Sequence, residues 1–138
     1  MKLMTLMQLK PIKSVLLSGL LLLLTPLAFG HGAESEPLNP HGGEAVHAGP
    51  YNLELLVEGT RLSLYVSDDH NHPVAVAGAQ AEAVILANKQ KTRLTLSHDD
   101  ANRLVGQGSF AADPQMKVIV SLQLPGAKKV TGLFRPLQ

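Results

Sequence analysis

The chain has no cysteine and no tryptophan among its 138 residues. Without cysteine there is no disulfide, no thiolate zinc site, no thiol nucleophile and no lipid-modified cysteine anchor. With three Phe and two Tyr, its core has to be built from Leu, Val, Ile and Ala. Catalytic signatures are missing as well. There is no Gly-x-Ser-x-Gly elbow and no phosphate-binding glycine loop. The string "HNH" at 70–72 lacks the surrounding pattern of a nuclease. The formal net charge is +1, and nothing in the letters suggests nucleic-acid binding, which would need a basic face. An enzyme is not expected.

What is present begins with a segment of three lysines, Lys2, Lys10 and Lys13, and no acid. The apolar run Val15–Leu24 follows, then Thr25-Pro26-Leu27-Ala28-Phe29-Gly30. A positive start, an apolar centre and a small-residue end make a secretory signal peptide over 1–30. The apolar run is short of the roughly 20 residues of a membrane span, so no stable insertion is expected after cleavage. Ala28 and Gly30 fit a cleavage site that makes His31 the new N-terminus. The expected product is exported, periplasmic in a double-membraned cell. Loss of the three lysines leaves nine basic against eleven acidic residues, a charge of −2.

Residues 31–50 are rich in Gly, Pro, His and Glu and read as a flexible arm. From Tyr51 the pattern changes. "YNLELLVE" sets Leu53, Leu55 and Val57 on one face, with Asn52, Glu54 and Glu58 opposite. "RLSLYVSD" sets Leu62, Leu64 and Val66 together. Both have period two, the mark of half-buried strands, and Gly59-Thr60 between them suits a tight hairpin. "AEAVILAN", "TRLTLS", "NRLVGQGSF", "KVIVSLQL" and "KVTGLFR" supply the remaining strands, separated by turn-rich stretches. The glycines of "NRLVGQGSF" suggest a bend or bulge. A helix over Ala77–Asn88 is the competing reading, opposed by Val84, Ile85 and Gly78. The expected fold is all-β: an antiparallel, immunoglobulin-like β-sandwich of six or seven strands over 51–138.

The candidate chemistry lies in the six histidines. His31, as a new N-terminus, offers its α-amine and Nδ1 as a chelate, a set that suits Cu(II). His41 precedes two glycines that let the backbone close around an ion, with Glu44 nearby. His70 and His72 sit beside Asp68 and Asp69 in the densest donor cluster, where carboxylates raise affinity for a cation. His47 and His98 are weaker candidates. Each also has a plain reading: a solvated terminus, a turn into the first strand, and a polar turn closed by Pro73.

The stretch "HGGEAVHAGPYNLELLVEGTRLSLYVSDDHNHPV", with "NRLVGQGSF", "VIVSLQLPG" and "GLF", resembles a group of small exported β-sandwich domains. Similar domains form the N-terminal part of periplasmic adaptor subunits of heavy-metal efflux pumps. The likeness covers nearly all of 41–134 and rests on His-Gly-Gly, Gly-x-Tyr-x-x-Glu-Leu and Leu-x-Leu-Tyr-x-x-Asp. It implies a non-catalytic periplasmic domain tied to metal handling, with His41 carried over as a candidate ligand. Members often carry a further histidine in the Tyr-x-x-Glu stretch; here Asn52 stands in that place. The expected function is therefore binding of Cu(II) or Zn(II) through His31, His41, His70 and His72, with an efflux adaptor or other envelope protein as partner. The alternative is a metal-free envelope protein–protein interaction module.

Overall fold

A computed structural model describes residues 36–138. The signal peptide expected over 1–30 and His31 lie outside the described residues. Eight strands follow one another: β1 Glu44–Ala48, β2 Tyr51–Glu58, β3 Arg61–Asp68, β4 Gln80–Ala87, β5 Gln90–His98, β6 Leu104–Gln107, β7 Lys117–Gln123 and β8 Val130–Phe134. The described residues contain no helix. The strand order is β1-β2-β3-β6-β5-β4-β7-β8, and every pairing is antiparallel.

The alternation read from the letters produces the ladders directly. Leu53 and Leu55 of β2, Leu62 and Leu64 of β3, and Val118, Val120 and Leu122 of β7 all face inward and are fully buried. Phe134 closes the core from β8, and Met116 and Val76 plug it from the loops. Each buried Leu or Phe contributes about 1.5–3 kcal/mol relative to exposure, which is how a chain without disulfides holds together. Ala77–Asn88 is not a helix. Its Ala81, Ala83, Ile85 and Ala87 are buried at period two, and β4 lies between β5 and β7.

Turn chemistry fixes the register. Gly49 and Gly59 take φ of 60° at the first central position of two-residue hairpins, joining Ala48 to Tyr51 and Glu58 to Arg61. That positive φ is open to glycine at no steric cost. The β4–β5 turn puts Asn88 and Lys89 at φ 53° and 62°, as a primed turn requires.

One expectation changes. The strand count is eight rather than six or seven, because β1 lies inside the segment 31–50 assigned to a flexible arm. "EAVHA" is too short to declare itself, but it pairs residue for residue with β2. Gly106 of β6 and Gly108 just after it have a packing role. A Cβ on Gly106 would meet Leu96 Cδ2 at 2.6 Å, and one on Gly108 would collide with the Leu94 side chain. They allow β6 to lie close over the leucines of β5.

The sheet nearly closes on itself. The Arg135 N–H donates to the Glu44 carboxylate at 2.5 Å. A Cβ on Gly132 of β8 would stand 3.1 Å from Val46 of β1. First and last strands thus lie side by side, which removes much of the exposed edge that open sheets carry.

Candidate metal site

The outer face of β2 should be wet by its alternation, yet Asn52 and Glu54 are buried there, at 2% and 4% exposure. The cover is the chain before β1, which runs back over β2 towards the β3–β4 turn. Glu54 is the anchor. Its Oε1 accepts from the backbone N–H of His41 at 2.9 Å and of Gly43 at 3.0 Å, and its Oε2 faces His41 Nδ1 at 2.7 Å. A buried carboxylate is tolerated when its lone pairs are filled this way. Gly43 has to be glycine, because a Cβ would collide with the Leu55 carbonyl.

His41 also lies flat on Tyr65, with ring centroids 3.5 Å apart and planes 4° from parallel. Behind that ring, Arg103 donates from NH1 to the Tyr65 hydroxyl at 3.4 Å and from Nε to Asp99 at 2.6 Å. The Arg103 hydrogen bond holds the Asp99 carboxyl below the usual carboxylate range, and Asp99 in turn keeps Arg103 charged. A cavity of about 250 Å³ opens beside His41, walled by Leu38, Pro40, Tyr65, Pro73 and Ala101.

Asn52 occupies the place where the resembling domains often carry histidine. It is a structural post. Its Nδ2 donates to the Asp68 carbonyl and to Asn71 Oδ1, both at 3.0 Å, and Asn71 Oδ1 also accepts from Leu38 N at 3.1 Å. Strand, turn and leading segment are tied at one point. Asn71 sits at φ 62°, a left-handed conformation that Asn tolerates better than most residues.

The turn itself is built on Asp68. Its Oδ1 accepts from the N–H groups of His70 at 2.9 Å and His72 at 2.8 Å. The backbone closes with Asp68 N to His72 O at 2.9 Å and Asn71 N to Asp68 O at 3.0 Å. The His72 N–H bond, more than any other group, holds the Asp68 carboxyl below its ordinary range, against a desolvation that pushes it up. This keeps a carboxylate anionic in front of two imidazoles. His70 Nδ1 lies 2.7 Å from Asp69 and His72 Nδ1 3.3 Å from Asp68. The two rings are 6.1 Å apart and 13° from parallel.

Among the described residues, Asp68, Asp69 and His70 gather one donor atom each within 4.8 Å of one another. Oxygen and nitrogen ligands bind Zn(II) at about 2.0–2.2 Å, so a modest rotation brings the three onto one ion. Two carboxylates with one or two imidazoles suit Zn(II) or Cu(II) better than a soft monovalent ion. The imidazoles are mostly exposed, His70 at 73% and His72 at 77%, so an ion there stays open to solvent and exchange.

The candidate histidines therefore divide. His70 and His72 are brought together. His41 is placed elsewhere, with one nitrogen committed to Glu54 and only Nε2 left to offer. His47 is exposed on β1 opposite Asn52, and His98 is exposed at the end of β5. Neither belongs to the gathered donors. Reasoning from letters missed Glu54 and Tyr65, since alternation assigned Glu54 to solvent. Their one signal was the Tyr-x-x-Glu-Leu and Leu-Tyr pattern of the resemblance. Compared with known proteins, the chain matches no protein-family model, no curated protein and no solved structure.

Proposed function

We propose that the chain is an exported, non-catalytic accessory domain that binds one divalent transition-metal ion, Cu(II) or Zn(II), at the β3–β4 turn. Asp68, Asp69 and His70 are the ligands, and His72 is the fourth donor. The observation that carries this reading is the convergence of those three donor atoms within 4.8 Å on a turn pre-set by Asp68 hydrogen bonds. His41 fastens the leading segment to Glu54 and is not one of the ligands. His31, if cleavage follows Gly30, adds an amine–imidazole chelate of its own.

The resemblance to adaptor domains of heavy-metal efflux systems belongs to this proposal, with periplasmic residence and transfer of the ion to an envelope partner. So does the immunoglobulin-like, two-layer form. It is supported by β5, which gives Gln90–Leu96 to β4 and only Ser97 and His98 to β6, as strands at the corner of two packed layers do.

The test is titration of the secreted protein with Cu(II) and with Zn(II), beside His70→Ala/His72→Ala and His41→Ala. Tight binding lost in the double variant and kept in His41→Ala supports the turn. Wild-type binding no tighter than that of free histidine ends it. A metal-free interaction module is the second reading, favoured by the cavity beside His41, whose mixed lining of Leu38, Pro40 and Pro73 with Ser67, Asn71 and Asn102 suits a partner's side chain. Retention on envelope protein in the presence of chelator would favour it.

A further inference from the structure

The charge of the domain is unevenly placed. Asp68, Asp69, Asp99 and Asp100 sit in the turns at one end of the strands. At the other end, Lys89, Lys91, Lys117 and Arg135 line a single groove of about 990 Å³. Among the described residues none of these four cations forms an ion pair, whereas Arg93 is paired with Glu82 and Arg103 with Asp99. The acid within the groove, Asp113, is already engaged by the backbone N–H groups of Asn88 at 2.5 Å and Gln115 at 2.7 Å.

Strand register places apolar side chains among these cations. Leu86 lies between Lys91 on β5 and Lys117 on β7. In the next outward row, Val84 and Ile119 lead across to Leu133. Four large apolar side chains are exposed among the described residues: Leu86 at 38%, Leu133 at 45%, Leu137 at 44% and Leu38 at 59%. Three of them belong to this face or to the segment that ends it, so the face is both basic and apolar. Lys89 adds a further sign. It holds φ 62°, where glycine would sit at less cost, so a cation is kept at the rim against backbone preference.

We infer that the outer face of β4, β7 and β8 docks on a bilayer surface carrying anionic headgroups. Leucines enter the headgroup boundary while the lysine and arginine side chains reach the lipid phosphates. Attraction of each cation to an anionic leaflet is worth roughly a fivefold gain in affinity. At the opposite end of the strands Lys128 and Lys129 share the turns with the four aspartates, so positive charge is less offset in the groove than there. The inference does not depend on metal binding.

The experiment is co-sedimentation of the secreted protein, its N-terminus recorded by mass spectrometry, in chelator. Vesicles are of phosphatidylcholine alone or of equal parts phosphatidylcholine and phosphatidylglycerol. Variants with the same N-terminus are compared, so that any apolar leader contributes equally. Binding is expected to the mixed vesicles only and to weaken with salt. Lys91→Glu/Lys117→Glu should lose roughly twentyfold or more, and Leu86→Gln/Leu133→Gln roughly fivefold. Lys128→Glu/Lys129→Glu, at the acidic end, should lose less than about threefold. These are surface changes, and an unchanged melting temperature verifies each fold. Equal binding to both vesicle types, or unchanged binding of the Lys91/Lys117 variant, overturns the inference. So does binding to soluble polyglutamate without binding to vesicles, which would assign the face to an acidic protein.

Discussion

The His41–Glu54 corner and the Asp68–His72 turn use the same two side-chain types in opposite ways. At the corner the carboxylate is buried and both its oxygens are engaged by three partners, so the imidazole is a fastener. At the turn the carboxylates are open to solvent, and the imidazoles face them without cover. An acid beside a histidine says little by itself. Burial decides whether the pair is spent on stability or left for a ligand.

The sharpest way to break this comparison is Glu54→Ala. It strands two backbone N–H groups and releases the leading segment from β2. A loss of about 2–3 kcal/mol is expected in urea unfolding, with metal affinity unchanged. Lost affinity at intact stability would reverse the two roles. Asp68→Ala comes next, because it removes both a proposed ligand and the clamp on His70 and His72. Metal affinity should fall at least tenfold, about 1.4 kcal/mol by calorimetry, and stability should fall less than for Glu54→Ala.

Crossing the histidines sharpens the contrast. His41→Ala should cost about 1 kcal/mol of stability and leave metal binding alone. His70→Ala should do the opposite. The smallest effect is that of acid. Asp99 is lowered chiefly by Arg103, so the pair adds stability above the ordinary carboxylate value of 3.8. That contribution fades as pH falls through the lowered value. NMR titration should find the Asp99 carboxyl below 3.8, moving towards it in Arg103→Gln.

Much of the sheet was legible because period two is a local property. "YNLELLVE" and "RLSLYVSD" coincide with β2 and β3, and the Gly59 hairpin joins them. β1 was not legible, since five residues among His, Gly and Pro become a strand only when β2 offers its edge. The turn donors were readable as a dense polar cluster. The Glu54 corner was not, because alternation gives the face of a side chain but not what covers that face.

The letters by themselves determined an all-β chain with a leucine- and valine-based core, no cysteine chemistry and a cluster of acids and imidazoles at 68–72. Tertiary structure alone decided that His41 turns to Glu54, that Asn52 is a post, and that four cations collect around Leu86. Those outcomes depend on contacts between residues distant in the chain. Such contacts are set by strand order and near-closure of the sheet, which no local pattern encodes.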